Sequence, residues 1–585
     1  MRLLICCALI VLLAQPAIAQ IENPQLVSSA LVRVEQQGRA TLAGHIEQLT
    51  VNITIPQSTA WQSRDRLAVK CGACEHKLLI DEFGNELVQL SWQRPVDEVD
   101  FLITSTVSIS RARMTSLPAL AAFAEPSELV ESADPEIISL AEVITSPETE
   151  HFSKIAAVTA WVHQNIEYDP AYMAVNMSAK ASIARRAGTC DEFSVVLLAL
   201  MRSLGYRSAY AAGYAYEPEK GFVAHGWTEI CPDGCYVADP TWAQAGFLDA
   251  MHIKFATLPD SFYSEARLLA LGRGEFAAVL EPISTDIEIL EWRAEPVLTA
   301  NSTLLDSELW TGRAIVKTDL QAAGCVLTKI RAASCTIDDE PFLPAARPEQ
   351  IVWFCGARSL FSIFEIPPGL DPRKDYHCEL SVIPAAAERT DTQLVLRSVA
   401  APVGNISLAL DRDVLVPGEL FSVSAADAHI FTDYGAYARN SAVWTSPGRD
   451  FMVYAYRNGL LAQRQIAVVA ERPINISLDL STVDVMVGEV IDVSVAVTNK
   501  LTKRQSVTVR LGNVSQTKAI QAGQTELFEF TFTPASVADN IVQVFVLADT
   551  FSTSSSKGIT VTKPKSWPEL LLEAIMNFFK MLLGG

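Results

Sequence analysis

The sequence predicts a multidomain α+β protein: one α+β core near the middle of the chain, flanked by β-sandwich and immunoglobulin-like domains. Three observations carry that expectation. The chain has 585 residues, more than the ~250 to 300 at which a single hydrophobic core stops growing. Apolar residues alternate as in strands up to residue 113 and again beyond about 285, whereas between those points they recur at helical spacing. Finally, Asn405-Ile-Ser-Leu-Ala-Leu-Asp411 with Pro417-Gly418-Glu419 returns 70 residues later as Asn475-Ile-Ser-Leu-Asp-Leu480 with Val487-Gly488-Glu489, the mark of tandem modules. At 49% hydrophobic and 19% charged residues the chain can bury ample core and is not a disordered protein. Its formal charge of -21 argues against a nucleic-acid-binding surface.

In chain order, residues 1–19 read as a signal peptide. Arg2 is the basic start, Leu3 to Ala14 the apolar stretch, and Ala17-Ile-Ala19 the small-x-small cleavage signal before Gln20. An uncleaved anchor is the alternative, although the apolar run is short for a bilayer. Residues 20–113 alternate, as in Leu49-Thr-Val51-Asn-Ile53-Thr-Ile55, and predict an N-terminal β-sandwich serving as spacer or docking domain. Residues 114–150, broken by Pro118, Pro126, Pro135 and Pro147 and acidic from Glu125 to Glu142, read as a connector.

Residues 151–285 are the core on which function rests. Ile155, Val158, Trp161, Val162 and Ile166 fall on one face of a helix over 152–166. Ser178 caps a shorter helix to Arg186, with Gly188 stopping it. A central helix then runs from Cys190 to Leu204, turning Phe193, Leu197, Leu200 and Leu204 inward and ending at Gly205. A thiol in the first turn of a helix meets unpaired backbone N–H groups and the positive end of the helix dipole, which favour a thiolate and can bind an oxyanion. A buried structural cysteine is the alternative.

The next strands bring possible partners. Val223 to Cys231 and Cys235 to Trp242 form a hairpin across Pro232-Asp233-Gly234. If Cys231 faces Cys235, Glu229 faces Val237 and Trp227 faces Asp239, so Asp239 is the diagonal neighbour of His225 on one sheet face. A slip of one residue would turn Asp239 away. A Cys231 to Cys235 bridge would therefore clamp that alignment. Glu192 supports the first turn of the central helix, Glu229 lines the cleft, and Trp227 and Trp242 serve as wall or core.

Here the sequence resembles a known family. Asn165-Ile-Glu-Tyr168, Gly188-Thr-Cys190-Asp-Glu-Phe193, His225-Gly-Trp227-Thr-Glu229 and Asp239-Pro-Thr-Trp242 are similar, in order and spacing, to the core motifs of the transglutaminase-like superfamily. The resemblance covers roughly residues 150 to 260. It implies a papain-like α+β fold in which Cys190 is the nucleophile, His225 its acid/base partner and Asp239 the orienting carboxylate. The oxyanion would meet the Cys190 backbone N–H, with the second donor unassigned. The expected activity is cysteine peptidase, amidase or transglutaminase, acting on a protein or peptide substrate without cofactor or metal. The alternative is a surface adhesion or scaffold protein whose transglutaminase-like domain binds without catalysis.

After cleavage nine cysteines remain. Cys71/Cys74, Cys231/Cys235, Cys325/Cys335 and Cys355/Cys378 are sequence-local pairs read as disulfides, with crossing bridges among the last four left open, and Cys190 is the odd thiol. Cys71-Gly-Ala-Cys74 is also compatible with a redox motif or half a zinc site. Residues 286–400 read as a disulfide-bonded β domain, and 401–472 and 473–563 as two immunoglobulin-like repeats forming a stalk. Residues 564–585 read as an amphipathic helix, with Glu569, Glu573, Asn577 and Lys580 as its polar stripe. It either lies on a membrane surface or docks on the protein itself. Asn52, Asn176, Asn301, Asn405, Asn475 and Asn513 stand in glycosylation sequons. Together these features predict an exported, extracellular or cell-surface protein, attached peripherally to a membrane if the last helix binds one.

Overall fold

The computed structural model describes residues 21–563 except 174, 263, 310, 338–339, 398–403, 413, 470–473, 501–503 and 549–550, together with 575–576. The signal peptide expected at 1–19 lies outside the described residues, as does the helix expected at 564–585 apart from Ile575 and Met576. Among the described residues no helix is long and apolar enough to cross a membrane. The chain divides at residues 400 and 401 into two compact units.

The first unit begins on a single long strand. Val27–Thr54 runs for 28 residues with nearly every second side chain buried, so Val32 and Val34, and beyond the register shift between Ile46 and Gln48 also Leu49, Val51 and Ile53, point into the interior. Glu98–Ser110 and Ser284–Ala294 pair with its first half. Glu86–Gln93 and Ala266–Leu280 pair with its second. Gln62–Lys70 and Glu75–Ile80 complete a seven-stranded sheet. The boundaries expected at 113 and 285 are thus corrected: the N-terminal β layer is closed by two strands from 266–294. Alternation marks these residues as strands but does not name their neighbours, and a strand of 28 residues has two long edges of N–H and C=O groups to satisfy.

A second sheet of twelve strands holds the core. His252–Leu258, Arg207–Glu217, Gly221–Cys231, Cys235–Asp239 and Gln244–Ala245 lie side by side, and the last pairs with Arg313–Ser334 through Ala245 and Leu327. The regions expected as a separate core and a disulfide-bonded β domain therefore share one sheet. Helices α1 (Pro135–Thr145), α2 (His151–Asn165), α3 (Ala179–Arg185) and α4 (Cys190–Ser203) pack about it. α1 is capped by Asp134, which accepts from Glu136 N, and buries Ile137 and Ala141 in the core. Met114–Thr115 pairs with Tyr236 and Cys235. Residues 114–150 are consequently part of the packed domain rather than only a connector.

The helical spacing predicts α2, α3 and α4 to within a residue at each end. Phe193, Leu197 and Leu200 are buried as expected, and Gly205 has the positive φ of 85° that ends α4. The stop of α3 differs. Arg186 takes the left-handed conformation at φ 55°, while Gly188 is needed for space, since a Cβ there would lie 2.4 Å from the Cβ of Glu192.

All eight cysteines expected to be oxidised are bridged. Cys71–Cys74 and Cys231–Cys235 are local. The remaining four cross, as Cys325–Cys355 and Cys335–Cys378, so of the two arrangements left open the crossing one is found and not the local pairs Cys325/Cys335 and Cys355/Cys378. Arg313–Ser334 runs antiparallel to Glu349–Glu365 with Cys325 opposite Cys355. Its other neighbour at that end is Tyr376–Pro384, which carries Cys378.

The second unit is β-rich. Its first part packs strands from Ala409 to Val468 around Leu415, Phe421, Ile430, Phe451 and Val453. Its second sets Ile474–Leu480, Ile491–Asn499 and Thr525–Phe532 against Val514–Ile520, Gln505–Leu511, Ile541–Ala548 and Phe551–Gly558 over a Val- and Phe-rich core. The 70-residue repeat has a local cause. Gly418 and Gly488 have positive φ, and Glu419 and Glu489 each accept a hydrogen bond from the backbone N–H three residues earlier, at Val416 and Met486.

Candidate active site

α4 presents Cys190 as its first residue, so the Cys190 N–H belongs to the helical turn that lacks intrahelical acceptors. Glu192 fixes that turn from inside. Its Oε2 accepts from the Thr189 backbone N–H at 2.8 Å and from Thr189 Oγ1 at 2.9 Å, and Oε1 accepts from Met177 N at 3.3 Å. Ser194 donates to the Gly226 carbonyl at 3.1 Å, tying α4 to the strand that carries His225. Cys190 is the free cysteine of the described residues and is partly accessible.

The hairpin has the expected register. Thr228 faces Ala238, Glu229 faces Val237 and Ile230 faces Tyr236. The pairing ends there, and Asp239 pairs onward with Gln244. Asp239 Oδ2 lies 2.9 Å from His225 Nε2, with both side chains buried. Asp239 Oδ1 accepts from Thr241 N at 2.8 Å and Trp242 N at 3.3 Å, so the turn after the strand orients the carboxylate. His225 and Cys190 line one cleft. Because Nε2 is engaged by Asp239, Nδ1 is the nitrogen that serves the thiol. The His225 ring is stacked on Trp242 at 4.6 Å and 13° and on Trp227 at 6.2 Å and 23°, which restricts its rotation.

The electrostatics follow from burial and pairing. Burial alone lowers His225, but the Asp239 charge and hydrogen bond, with Cys190, outweigh it and push the imidazole up to about 9. Burial raises Asp239, yet the charges and hydrogen bonds of His225 and His252 hold it well below the usual carboxylate range. His252 is also pushed up to about 9, because Asp249 and Asp239 overcome its own burial.

His252 was not among the residues expected at the site. It is fully buried, with Nε2 3.4 Å from Asp239 Oδ2 and Nδ1 3.1 Å from Asp249 Oδ1. Its signal in the sequence is Asp249-Ala-Met-His252, a carboxylate and an imidazole three residues apart, just after the Asp239 motif. His225, Asp239 and His252 bring potential ligand atoms within 4.8 Å of one another. Those atoms already face each other at hydrogen-bonding distances, so the trio reads as a proton-sharing chain rather than a cation cage.

Glu229 does not line the cleft, which corrects the sequence reading. It is buried beneath the sheet, where Lys254 Nζ lies 2.7 Å from both of its carboxylate oxygens and Thr115 Oγ1 donates at 2.9 Å. Thr115 arrives on the strand that precedes α1, a contact that no spacing within the hairpin could disclose. Trp227 is fully buried and acts as core.

Cys190 and His225 open into a cleft of about 830 Å³. Tyr168, Met173 and Phe262 are its exposed apolar rim, and Asp191, Glu217, Lys220 and Glu265 its ionisable lining. Tyr210 donates its hydroxyl to Asp191 Oδ1, which lies 3.9 Å from Cys190 Sγ. Of the sequon residues, Asn176 is exposed at this cleft, Asn301, Asn405, Asn475 and Asn513 are exposed elsewhere, and Asn52 is half-buried with Gln89 donating to it at 2.9 Å.

A thiol at a helix start, facing a buried imidazole and carboxylate on a hairpin, defines the class of thiol, imidazole and carboxylate sites. Residues 138–245 match the model of the transglutaminase-like superfamily, and the chain carries a domain of that superfamily. In sequence the chain is 24% identical over 180 residues to an uncharacterised protein of Mycobacterium leprae (strain TN), covering 28% of this chain and 64% of that one, short of two thirds of its length. Three solved structures are similar to it. A candidate cysteine protease from Cytophaga hutchinsonii is 20% identical with a TM-score of 0.35, covering 45% of this chain and 91% of that one. Red sea bream transglutaminase is 9% identical with a TM-score of 0.17, covering 90% and 93%. The periplasmic domain of TgpA from Pseudomonas aeruginosa is 15% identical with a TM-score of 0.20, covering 37% and 91%.

Proposed function

We propose that this protein is a secreted or surface-attached thiol acyl-transfer enzyme in which Cys190 forms a thioester with a peptide or glutamine carbonyl. The observation that carries the reading is the free Cys190 at the start of α4, sharing one cleft with a buried His225 that Asp239 holds at 2.9 Å. With His225 as imidazolium, Cys190 attacks as thiolate, forming the C–S bond while the carbonyl π electrons move to oxygen. The oxyanion is met by the Cys190 N–H at the helix start. As the tetrahedral centre collapses, the C–N bond breaks and His225 gives its proton to the leaving amine, while Asp239 keeps the ring oriented. His225, now neutral, takes a proton from water or an acceptor amine, which attacks the thioester and returns Cys190 as thiolate.

The four disulfides fit an oxidising compartment outside the cytoplasm. In the same reading residues 401–472 and 473–563 are immunoglobulin-like stalk modules. Residues 564–585 rest on a membrane surface, so their removal abolishes co-flotation with anionic vesicles. The test of the chemistry is incubation with a glutamine-containing peptide and a labelled amine. A conjugate indicates transamidation, and a cleaved or deamidated peptide indicates hydrolysis. Cys190→Ala abolishes either product and blocks iodoacetamide labelling at that position. Activity that survives the substitution refutes the assignment of Cys190, and a Cys190 inert to alkylation in a chain without activity supports the scaffold reading instead.

A further inference from the structure

His252 faces carboxylates with both ring nitrogens. Asp249 Oδ1 lies 3.1 Å from Nδ1 and Asp239 Oδ2 lies 3.4 Å from Nε2. A neutral imidazole carries one N–H, so it would leave a lone pair aimed at one of these two acceptors in a site without solvent. The imidazolium alone donates to both. Asp249 is built to receive it: Oδ1 also accepts from Met251 N at 3.0 Å, and Oδ2 accepts from Gln244 Nε2 at 3.0 Å. Trp227 and Trp242 present their ring planes near perpendicular to His252, at 5.3 and 5.2 Å between centroids, and close the remaining sides.

We infer that His252 is a permanently cationic positioning residue that holds Asp239 from the side opposite His225 and restrains how strongly His225 keeps its proton. The inference rests on the proposed thiol chemistry. Four groups define the charge around it: Asp239 and Asp249 as anions, His252 as cation, and His225 as the group that changes state during turnover. Cys190 faces His225 from α4, and Arg111 adds positive charge near Asp249. The His225 and His252 rings are 5.7 Å apart. At that distance a fixed positive charge opposes protonation of His225, and by sharing Asp239 it takes part of the carboxylate's attraction away. Both effects ease transfer of the proton from His225 to the leaving amine. His252 touches neither substrate nor the reacting atoms and acts through Asp239.

The test is His252→Gln in the full chain, assayed with the same glutamine peptide across pH. The substitution keeps a donor, removes the charge and leaves Asp249 uncompensated, and the last two effects favour protonated His225. Expected are a KM within about twofold of the parent and a kcat lower by about tenfold to a hundredfold, the range seen when an outer partner of a site residue is lost. The alkaline limb should move upward by about one to two pH units, the order of a full charge at this range. A folded variant whose alkaline limb is unmoved would overturn the inference, since a merely structural histidine lowers activity without displacing the limb. If the variant does not fold, ¹⁵N NMR of the histidine-labelled parent decides: both His252 nitrogens protonated at pH 7.5 supports the inference, and a single neutral tautomer overturns it. An active parent that needs Cys190 but shows either overturning result sinks this inference alone. Loss of the Cys190 requirement sinks the reading beneath it.

Discussion

Replacing Asp239 by Asn keeps the side chain's shape and removes its charge, and the consequences can be worked from the site. Burial by itself lowers His225, and Asp239 is the largest influence holding it up at about 9. Without that charge burial prevails, and the imidazole falls to or below its ordinary value of ~6.5. The change is at least about 2.5 pH units, or about 3 kcal/mol of lost preference for the imidazolium. At pH 7.5 the ratio of imidazolium to imidazole drops from about 30:1 to about 1:10 or less. The Thr241 and Trp242 N–H groups hold the Asn oxygen at the Oδ1 position, so the amide NH₂ faces His225 where an acceptor is needed, a change that costs about 10⁴ in kcat in a Ser-His-Asp triad. The assay is kcat against pH with a glutamine peptide. The loss should reach about 10³- to 10⁴-fold at pH 7.5, with the alkaline limb displaced downward, opposite to the direction expected for His252→Gln. An Asp239→Asn enzyme whose limb stays near the parent's would refute the reasoning. The same groups govern stability. His225 and His252 are raised, so their contribution is complete below ~6.5 and is lost as pH rises through about 9. Asp239 is lowered, so its contribution is present above ~3.9 and is lost only as pH falls through its native value. Thermal denaturation across pH should therefore show a Tm that declines between pH 6.5 and 9 in the parent and is flatter in Asp239→Asn.

Three further outcomes follow from the packing. Glu229→Gln leaves the Lys254 ammonium buried without its carboxylate and should cost about 3 to 5 kcal/mol in urea unfolding, with the folded fraction still active because Glu229 is outside the cleft. Cys231→Ser with Cys235→Ser opens a bridge of sequence separation 4 and should cost about 2 kcal/mol, read as a lower Tm. The site should survive that change, because Arg207–Glu217 pairs along the whole other edge of the His225 strand. Gly226→Ala places a Cβ 2.0 Å from Tyr210 Oη, pushing the ring off Asp191. It should cost about 1 to 3 kcal/mol, with a change in alkylation rate at the neighbouring Cys190.

The site was legible to the extent that its residues are local. The capped start of α4 follows from Thr189 and Glu192, and the pairing of His225 with Asp239 follows from a hairpin whose register is readable from Cys231 facing Cys235 across a short turn. His252 was missed because it comes from a third strand. The pairing of His252–Leu258 with Arg207–Glu217 sets its place, and nothing in the hairpin points to it. Glu229 was misplaced for a related reason. Strand alternation puts it on the face of His225, and only Lys254, on that same third strand, accounts for its burial.

The sequence by itself determined α2, α3 and α4, the hairpin register, the tandem turns at Gly418 and Gly488 and the identity of the unpaired thiol. Each of these depends on residues within about one element of one another, where periodicity, caps and turn chemistry act. Tertiary structure alone decided that 266–294 closes the N-terminal sheet, that Cys325 meets Cys355, and that His252 stands behind Asp239. Those outcomes depend on which strand edges come together. Many strands present the same backbone hydrogen-bonding edge, and the choice among them falls to side-chain packing across the whole unit.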